Sequence, residues 1–546
     1  MQFSRKNVQQ ALGFLAAWAL FDVMLNLRYP ALEPALWYLL PSVDVVVLFT
    51  YFALFAASAR QVPTAARVAV VVWFFCVRLL RVGDGLQQAY YSQPFHLSSD
   101  LALAPELGRF VYATLSWWQL LVGLLAAVLG LGALAVALYR GLAFTERYLT
   151  EPRHWRFAGA VACACFVATY LIGRPVEYRR LFFGGFAASS LPRLRNELVF
   201  SFNVLSGRAR FASRIDATQK ALTSHPHDLQ KLEGRNVLLF VVESYGETVF
   251  RLPSFVAATR QLYDDFETEL RASGFDMATG VLASSTYGGR SWLANATLST
   301  GVKTSDQLEY ALILAKKPRA IAKFFEAAGY RTVLVQPGTT RPWPKGDFYG
   351  FEQRYYAWNF DYAGPSFGWA TMPDQYVVDF VHRRELTARQ RPLFIEYVLV
   401  SSHAPWSVQP QLIDDWMAVQ NGAVFNRLEP VTYAIEWPKF QNAGGAYIRS
   451  IEYDMTLLKQ YLLAQVRDDS LVIILGDHQP VADVNGHDES RGVPVHVISR
   501  SQALLRPFQA RGYRRGMRPG PSRAVPGLES FLPDLLVDFS SGAGGS

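Results

Sequence analysis

Cysteine is scarce in this sequence, with three among 546 residues. All three lie in strongly apolar stretches: Cys76, Cys163 and Cys165. The chain beyond residue 175 has no cysteine, which excludes disulfide bonds and thiolate metal ligands from that part. Charged residues are also few, at 18%, whereas hydrophobic residues make up 51%. A chain this long and this apolar exceeds one ordinary soluble domain, so the sequence predicts membrane spans.

Long apolar runs are concentrated before residue 175. Runs near the ~20 residues that a helix needs to cross a bilayer cover 10–29, 35–58, 64–82, 110–138 and 156–174. Basic residues mark the cytoplasmic side of membrane proteins, and here they flank the runs: Arg5, Lys6, Arg60, Arg67, Arg140, Arg147, Arg153 and Arg156. Because five spans are an odd number, we predict a multi-pass protein of the bacterial inner membrane. Everything after residue 175 is then periplasmic or extracellular.

The net charge of +8 raises the question of nucleic-acid binding. Many basic residues, however, lie in loops that flank the membrane or in patches at 174–180 and 511–523. Orientation of the spans and attraction to anionic lipid headgroups explain this distribution, so no nucleic-acid partner is predicted. Asp22, Asp44 and Arg78 are costly if they face lipid. We expect them to pair or face the bundle interior, with a lipid-headgroup role as the alternative.

Composition divides the chain into four parts. Residues 1–175 are predicted to form a transmembrane domain of five helices. Residues 176–234 are predicted to be a juxtamembrane linker, in which a helix near 194–211 has one apolar face and lies on the lipid surface. Residues 235–525 are predicted to form an extracytoplasmic domain. Residues 526–546 end in glycine and serine, and this tail is predicted to be partly disordered.

Short apolar runs alternate with amphipathic stretches in the extracytoplasmic domain. The runs predicted to be buried parallel strands are 236–243, 330–336, 392–401, 471–476 and 493–498. The predicted helices are 255–273, 318–328, 374–386 and 446–466. This alternation predicts an α/β fold with a mainly parallel sheet, which binds ligands beyond the carboxyl ends of its strands.

Carboxylate and imidazole side chains follow two of these strands. Glu243 ends the run NVLLFVVE, where packing explains an acid poorly. Asp477 and His478 follow the run LVIILG, behind a glycine that permits a turn. Oxygen and imidazole ligands at one sheet edge suit a divalent metal, Mn or Zn, with Mg as a further option. For Glu243 taken alone, a solvated strand end is the alternative.

A serine at a helix start lies between these strands in the sequence. The segment SSTYGGRSWLANATLSTG places two glycines before Ser291, which opens an apolar, helix-like stretch. The helix dipole stabilises an anion at that position, and a divalent metal lowers a hydroxyl pKa enough for attack on phosphorus. The alternative is that Ser291 only caps the helix.

The order Glu243, Ser291, Asp477, His478 resembles the alkaline-phosphatase/sulfatase superfamily. The resemblance is closer to its membrane branch of lipoteichoic acid synthases, phosphoglycerol transferases and lipid A phosphoethanolamine transferases. It implies an alkaline-phosphatase-like fold, with Ser291 as nucleophile and as a fourth metal ligand. Because the membrane branch commonly uses threonine, Thr286 is the alternative nucleophile.

The resemblance also implies residues that bind the substrate. His403, in the segment SSHAPW, corresponds to a histidine beside the phosphate, and His487 to one near the leaving or attacking oxygen. Each is otherwise a surface loop residue. Trp343 stands where lipoteichoic acid synthases place a tryptophan beside a basic residue, and here Lys345 or Arg341 supplies the charge.

Departures from the family pattern narrow the range of activities that the resemblance implies. Sulfatases need Cys or Ser followed by x-Pro-x-Arg for conversion to formylglycine, whereas this chain has SWLAN from Ser291. This argues against sulfate ester hydrolysis. The lack of cysteines in the external domain favours the phosphoglycerol-type branch over lipid A phosphoethanolamine transferases.

The resemblance implies a two-step transferase. Ser291 takes a phosphoglycerol or phosphoethanolamine headgroup from a phospholipid, and a hydroxyl of an envelope glycan or lipid then accepts it. A phosphodiesterase or phosphatase, with water as acceptor, is the alternative within enzymes. A non-catalytic envelope sensor or scaffold is the alternative from another class. The donor headgroup and the oligomeric state stay open.

Overall fold

The computed structural model describes residues 5–27, 42–57, 61–91, 95–101, 104, 108, 112, 115–171, 190–387, 390–435, 440, 442–467, 469–520 and 525–541. The chain splits into two compact units, Met1–Ala89 with Gln93–Gly207, and Tyr90–Ser92 with Arg208–Ser546. The predicted linker at 176–234 contains the main boundary.

The first unit is helical in its described residues. Its helices are α1 (Arg5–Asn26), α2 (Val43–Ala57), α3 (Thr64–Tyr91), α4 (Leu97–Asp100), α5 (Trp117–Tyr148) and α6 (Pro152–Leu171). Helix α7 (Ser190–Thr223) contains the boundary with the second unit and is longer than the helix predicted at 194–211.

Two of these helices, α1 and α5, are long and apolar enough to cross a membrane. Helix α2 is apolar over Asp44–Phe55 but is shorter. Side chains of α5 such as Leu124, Val128 and Leu129 are exposed, as lipid-facing side chains are. The five-span bundle stays a prediction. Parts of the predicted spans lie outside the described residues (28–29, 35–41, 58, 110–111, 113–114 and 172–174), as do Arg60 and the patch at 174–180.

The charged residues predicted inside the membrane have polar partners in the first unit. Asp22 accepts a hydrogen bond from the backbone N–H of Ser42 (2.8 Å). Asp44 accepts one from the backbone N–H of Ser190. Arg78 donates to the backbone carbonyl of Leu27. These contacts fit the structural role expected for them.

The second unit is built on an eight-stranded sheet in the order β10-β2-β9-β8-β1-β5-β3-β4. Its strands are β1 (Val237–Val242), β2 (Asp276–Ala283), β3 (Arg331–Gln336), β4 (Gln353–Tyr356), β5 (Leu393–Leu399), β8 (Leu471–Gly476), β9 (Gly492–Ser499) and β10 (Arg514–Arg515). A separate hairpin pairs β6 (Val408–Gln409) with β7 (Val431–Thr432).

Helices cover both faces of this sheet. They are α8 (Pro253–Ala272), α9 (Ser291–Thr300), α10 (Gln307–Lys316), α11 (Ile321–Ala327), α12 (Asp374–Val381), α13 (Trp416–Val419), α14 (Gly444–Ala464), α15 (Ala482–Asn485), α16 (Gln502–Ala510) and α17 (Phe531–Phe539). A π-helical turn at His382–Leu386 continues α12. Short 3-10 helices lie at Gln230–Leu232, Glu247–Phe250, Pro344–Tyr349, Ala357–Asn359, Ala423–Arg427 and Leu528–Ser530.

Alternate side chains of a strand enter opposite cores, which explains the continuous apolar runs in the sequence. In β1, Leu238 and Phe240 join the core beneath α8, α12 and α14. Leu239 and Val241 join the core beneath α9, α11, α16 and α17. Helix α17 belongs to this second core, so the folded unit extends past the predicted boundary at residue 525.

The α/β fold with a mainly parallel sheet is confirmed, with one correction. The predicted strand at 493–498 is β9, and it runs antiparallel to β8. The physical reason is that the connection at 477–491 contains only the single helical turn α15 and no crossover helix, so the chain turns back from the same sheet edge. Strand β2 was not predicted. It pairs antiparallel with β9 and therefore also ends at the edge where β1, β5 and β8 end.

Candidate active site

Strand β2 brings Ser291 to the edge where β1 and β8 end. Between β2 and α9 the chain makes a tight loop, in which Gly288 and Gly289 have φ of 66° and 140°. Arg290 is the N-cap of α9, with φ of 64°. Ser291 is therefore the first residue of the helix and not its cap, which rules out the simple capping role. The loop is closed by Thr286, whose hydroxyl donates to the backbone carbonyl of Gly289 (2.6 Å).

The hydroxyl of Ser291 lies between two of the predicted metal ligands. Its Oγ is 2.9 Å from Glu243 Oε2 and 3.1 Å from His478 Nε2. Glu243 Oε1 is 3.1 Å from the same His478 nitrogen. Both the carboxylate and the imidazole are buried. The three side chains, from three parts of the chain, thus converge on one point.

Asp477 completes this cluster from the end of β8. Its Oδ1 accepts hydrogen bonds from the backbone N–H groups of Ser244 (2.8 Å) and His478 (2.7 Å). Its Oδ2 is 3.4 Å from His478 Nε2. The other ring nitrogen of His478, Nδ1, is 2.8 Å from the backbone carbonyl of Gln479, which leaves Nε2 directed into the cluster.

Gly476 lets the ends of β1 and β8 approach each other this closely. A Cβ atom at this position would lie 1.8 Å from the backbone carbonyl oxygen of Tyr245. Any side chain here would therefore push Glu243 and Asp477 apart. The glycine predicted to permit a turn before Asp477 also permits this close contact between neighbouring strand ends.

The cluster fits a divalent cation. Glu243, Asp477 and His478 each offer a ligand atom within 4.8 Å of the others. Within the described part of the chain, the buried Asp477 Oδ2 has no hydrogen-bond partner. A buried carboxylate oxygen without a donor is costly, and a cation would satisfy it. Two carboxylates, an imidazole and a hydroxyl form a donor set typical of Zn or Mn.

Electrostatics in the cluster without a cation agree with this fit. Burial alone would raise the pKa of Glu243. The charge and hydrogen bond of His478, with contributions from His403 and Ser291, together outweigh burial and lower the pKa to about 2. Burial and the charge of Glu243 raise the pKa of Asp477 to about 7. Burial lowers the pKa of His478, but Asp477 and Glu243 outweigh it and raise the pKa to about 9. A proton on His478 therefore supplies the positive charge that the two carboxylates require.

His403 lies beside this cluster, on the turn that follows β5. Its charge contributes to the lowered pKa of Glu243, which places His403 within electrostatic reach of the predicted metal ligands. Its ring stacks on Trp369, with ring centroids 3.8 Å apart and an interplanar angle of 11°. The preceding residue, Ser402, donates from its hydroxyl to the backbone carbonyl of Glu243 (2.7 Å). The His403 turn is thus tied directly to the end of β1.

The remaining predicted site residues lie farther out. His487 is on the 477–491 connection. Its side chain is 62% exposed, and its Nε2 lies 3.6 Å from Asp483 Oδ1.

Trp343, on the loop after β3, is half-buried against Tyr349, with ring centroids 5.7 Å apart. Arg341 and Lys345 are exposed on the same loop after β3. Within the described residues, His403 therefore lies within electrostatic reach of the predicted metal ligands, whereas His487 and the Trp343 loop make their contacts elsewhere.

Sequence reasoning missed Ser402 and Trp369. Ser402 stands next to His403 in the motif SSHAPW, so its proximity to the site was open to inference. Trp369 lies 34 positions before His403 and had no local signal. Its ring also closely approaches Gly338, at the end of β3, where a Cβ atom would lie 2.9 Å from it.

Comparison with known proteins adds a family match and several similar folds. The sulfatase family model matches residues 235–515. No curated protein sequence matches the chain significantly. Lipoteichoic acid synthase LtaP from Listeria monocytogenes is 16% identical, with a TM-score of 0.35, and the match covers 57% of this chain and 73% of that one.

Two further solved structures are similar at the same level. The Streptococcus pyogenes phosphoglycerol transferase GacH, in complex with sn-glycerol-1-phosphate, is 13% identical (TM-score 0.33; 62% of this chain, 91% of that one). The C-terminal periplasmic domain of EptC from Escherichia coli, in complex with Zn, is 12% identical (TM-score 0.36; 57% and 88%). Likenesses at these identities and TM-scores carry no argument about substrate.

Proposed function

The chain belongs to the sulfatase family, and on this premise we propose that it is a membrane-anchored, metal-dependent transferase. It moves a phosphoglycerol or phosphoethanolamine headgroup from a phospholipid to a hydroxyl of an envelope glycan or lipid. One observation carries the proposal: the Ser291 hydroxyl lies 2.9 Å from Glu243 Oε2 and 3.1 Å from His478 Nε2. A serine held this way is arranged as a nucleophile, whereas a helix cap would face backbone N–H groups.

Glu243, Asp477, His478 and Ser291 would hold the divalent ion, which we propose to be Mn or Zn, with Mg as a further option. When bound, the ion supplies positive charge that lowers the pKa of a serine hydroxyl and offsets charge on phosphoryl oxygens. Glu243 also orients the nucleophile, because its Oε2 accepts the hydroxyl hydrogen bond.

The proposed first step forms the bond between Ser291 Oγ and phosphorus. The bond from phosphorus to the diacylglycerol oxygen breaks, and diacylglycerol leaves with the proton that Ser291 gave up. In the second step the acceptor hydroxyl attacks phosphorus, loses its proton and releases the Ser291 hydroxyl. The start of α9 assists both steps, because the first N–H groups of a helix have no intrahelical partner and favour an anion.

His403 is the proposed phosphoryl contact and proton shuttle, because it lies next to the metal ligands. His487 and the Trp343 loop, with Arg341 and Lys345, are proposed to contact the substrate farther from phosphorus. This division follows from their exposure and from their separation from the cluster. A membrane anchor suits this chemistry because the donor lipid and the site must meet at the bilayer surface.

The direct test is to incubate the full-length protein in detergent with phosphatidylglycerol or phosphatidylethanolamine and with Mn or Zn. Diacylglycerol release that requires both the lipid and the metal supports the proposal. Transfer of the headgroup to an added glycan or lipid acceptor identifies a transferase. Release of free glycerol phosphate or phosphoethanolamine alone identifies the hydrolase alternative. No turnover of either lipid with any of the metals would contradict both.

A further inference from the structure

Two fully buried carboxyl groups lie beneath the His403 turn, outside the metal cluster. Asp374 is the first residue of α12, and Asp454 lies in the middle of α14; both are 0% exposed. Buried acids that neither bind a metal nor pair with a base are rare, because burial of a charge is costly. The arrangement of these two therefore calls for a chemical explanation.

Asp374 holds the end of β5. Its carboxylate accepts hydrogen bonds from the backbone N–H groups of Val400 (3.0 Å) and Ser401 (2.6 Å). In return, its own backbone N–H donates to the Ser401 hydroxyl (3.2 Å). Backbone donors of this kind stabilise the ionised form of a carboxyl group. Asp374 is thus the charged member of the two.

Asp454 has the opposite environment. Within the described part of the chain, no backbone N–H or basic side chain donates to its carboxyl oxygens. Its carboxyl group instead lies within hydrogen-bonding reach of the side chains of Asp374 and Ser402. Burial and the charge of Asp374 raise the pKa of Asp454 far above its ordinary value. Burial also raises the pKa of Asp374, to about 6, against the opposing effect of its backbone donors. Among the described residues, Tyr453 also interacts electrostatically with both carboxyl groups, and it stays neutral because burial raises its pKa well above the ordinary value.

The turn above these acids carries residues of the site. Ser401 is bound to Asp374, Ser402 donates to the backbone carbonyl of Glu243 (2.7 Å), and His403 follows. The backbone carbonyl of Ser402 in turn accepts a hydrogen bond from the indole N–H of Trp406 (2.6 Å). A displacement of Ser401 would therefore move both His403 and the end of β1.

We propose that Asp374 and Asp454 share one proton and that this acid pair positions the Ser401–His403 turn for the reaction. The neutral Asp454 donates to the ionised Asp374, which holds the turn through Val400 and Ser401. Loss of the shared proton places two like charges in the core and releases the turn. The effect on catalysis rests on the proposed function, whereas the sharing of the proton does not.

Three substitutions and one control test the pair in the full-length protein. Asp454→Asn keeps a neutral hydrogen-bond donor at every pH, Asp454→Ala removes the donor, and Asp374→Asn removes the charged acceptor. Glu396→Gln is the control, because Glu396 is a buried acid on the same strand β5 that points into the core on the opposite face. Burial raises its pKa to about 8.

The stability measurement is independent of catalysis. A carboxyl group whose folded-state pKa is raised stabilises the fold fully below its unfolded pKa of about 4 and loses that contribution as pH rises through the folded pKa. The wild-type melting temperature should therefore fall between pH 5 and pH 9 by more than that of Asp454→Asn. A difference of at least about 2 °C is expected. An equal fall in both proteins would overturn the shared proton.

The kinetic measurement tests positioning. Asp374→Asn and Asp454→Ala should lower kcat at least about 10-fold with little change in KM, as expected when a group is displaced only by a fraction of an ångström. The kcat of Asp454→Asn should stay within about threefold of that of wild type. When the pH is raised to 9, this variant should lose a smaller fraction of its activity than wild type does. Glu396→Gln should match wild type in kcat and KM. Wild-type activity in Asp374→Asn and Asp454→Ala would overturn the positioning role, and an inactive wild type would overturn the proposed function while leaving the stability result valid.

Discussion

Ser291 at the start of one helix and Glu243 at the end of a distant strand are joined by a 2.9 Å hydrogen bond from the serine hydroxyl to Oε2 of the carboxylate. The two residues are 48 positions apart in the chain. This contact favours Ser291 over Thr286 as the predicted nucleophile, because the hydroxyl of Thr286 donates to the backbone carbonyl of Gly289 in its own loop.

Removal of the Ser291 hydroxyl should abolish turnover. Ser291→Ala is expected to lower the rate of diacylglycerol release at least about 1,000-fold, since the proposed covalent step needs that oxygen. Thr286→Ala is the matched control. It removes a loop contact only and should lower the rate less than about 10-fold. A reversed order of the two effects would make Thr286 the nucleophile.

Metal binding should release protons. Because the pKa of His478 is raised to about 9 without a cation, the imidazole is protonated at pH 7 and must lose that proton to act as a ligand. Affinity for Zn or Mn should therefore rise with pH between about 7 and 9. Calorimetric titration of the full-length protein in two buffers of different ionisation enthalpy would measure the release.

About one proton or more per bound ion is expected in that titration. His487→Ala is the control, because this ring lies on an exposed loop away from the cluster and should not change the number released. Binding that releases no protons would contradict His478 as a ligand.

Gly476→Ala should disrupt the second unit. The added Cβ would lie 1.8 Å from the carbonyl oxygen of Tyr245, at the contact between two central strands. We expect a loss of more than about 3 kcal/mol in the free energy of unfolding. Gly445→Ala, in α14, meets nothing within 4 Å and should change that free energy by less than about 1 kcal/mol. Similar melting temperatures for the two variants would show that the strand ends can separate without cost.

Trp369→Ala should impair the His403 turn without unfolding the protein. The ring is 46% exposed and stacks on His403. Loss of this aromatic contact is expected to lower kcat/KM about 3- to 10-fold with a small change in melting temperature. Trp358→Ala is the control, because Trp358 is similarly exposed but packs at a tilt against Tyr356, with ring centroids 5.0 Å apart. Equal effects of the two substitutions on kcat/KM would show that Trp369 has no specific role in the site.

The parts of the fold that could be predicted are those with local signals. Strands β1 and β8 are continuous apolar runs because each face enters a core, and the polar residues after them stand out. Strand β2 could not be recognised, because Asp276, Thr279 and Gly280 interrupt its apolar pattern. It is a strand because it pairs with β9, more than 200 residues away along the chain.

In the site, too, residues with a local sequence signal could be predicted, whereas contacts between distant segments could not. Glu243, Asp477, His478 and Ser291 each follow or begin an element that the sequence reveals, so the cluster was predictable. The stacking of Trp369 on His403 and the contact between Asp374 and Asp454 join distant segments and depend on the packing of whole helices. His487 was predicted from a resemblance, and the exposure of its loop leaves its role a prediction.

Ser291 is proposed to carry the phosphoryl group during turnover. Full-length protein should be mixed with phosphatidylglycerol or phosphatidylethanolamine and Mn or Zn, quenched in acid within seconds, digested and examined by peptide mass spectrometry. We expect a headgroup phosphate on the peptide that contains Ser291, absent in Ser291→Ala and in samples without metal. An adduct on Thr286, or steady diacylglycerol release with Ser291 unmodified at every quench time, would contradict it.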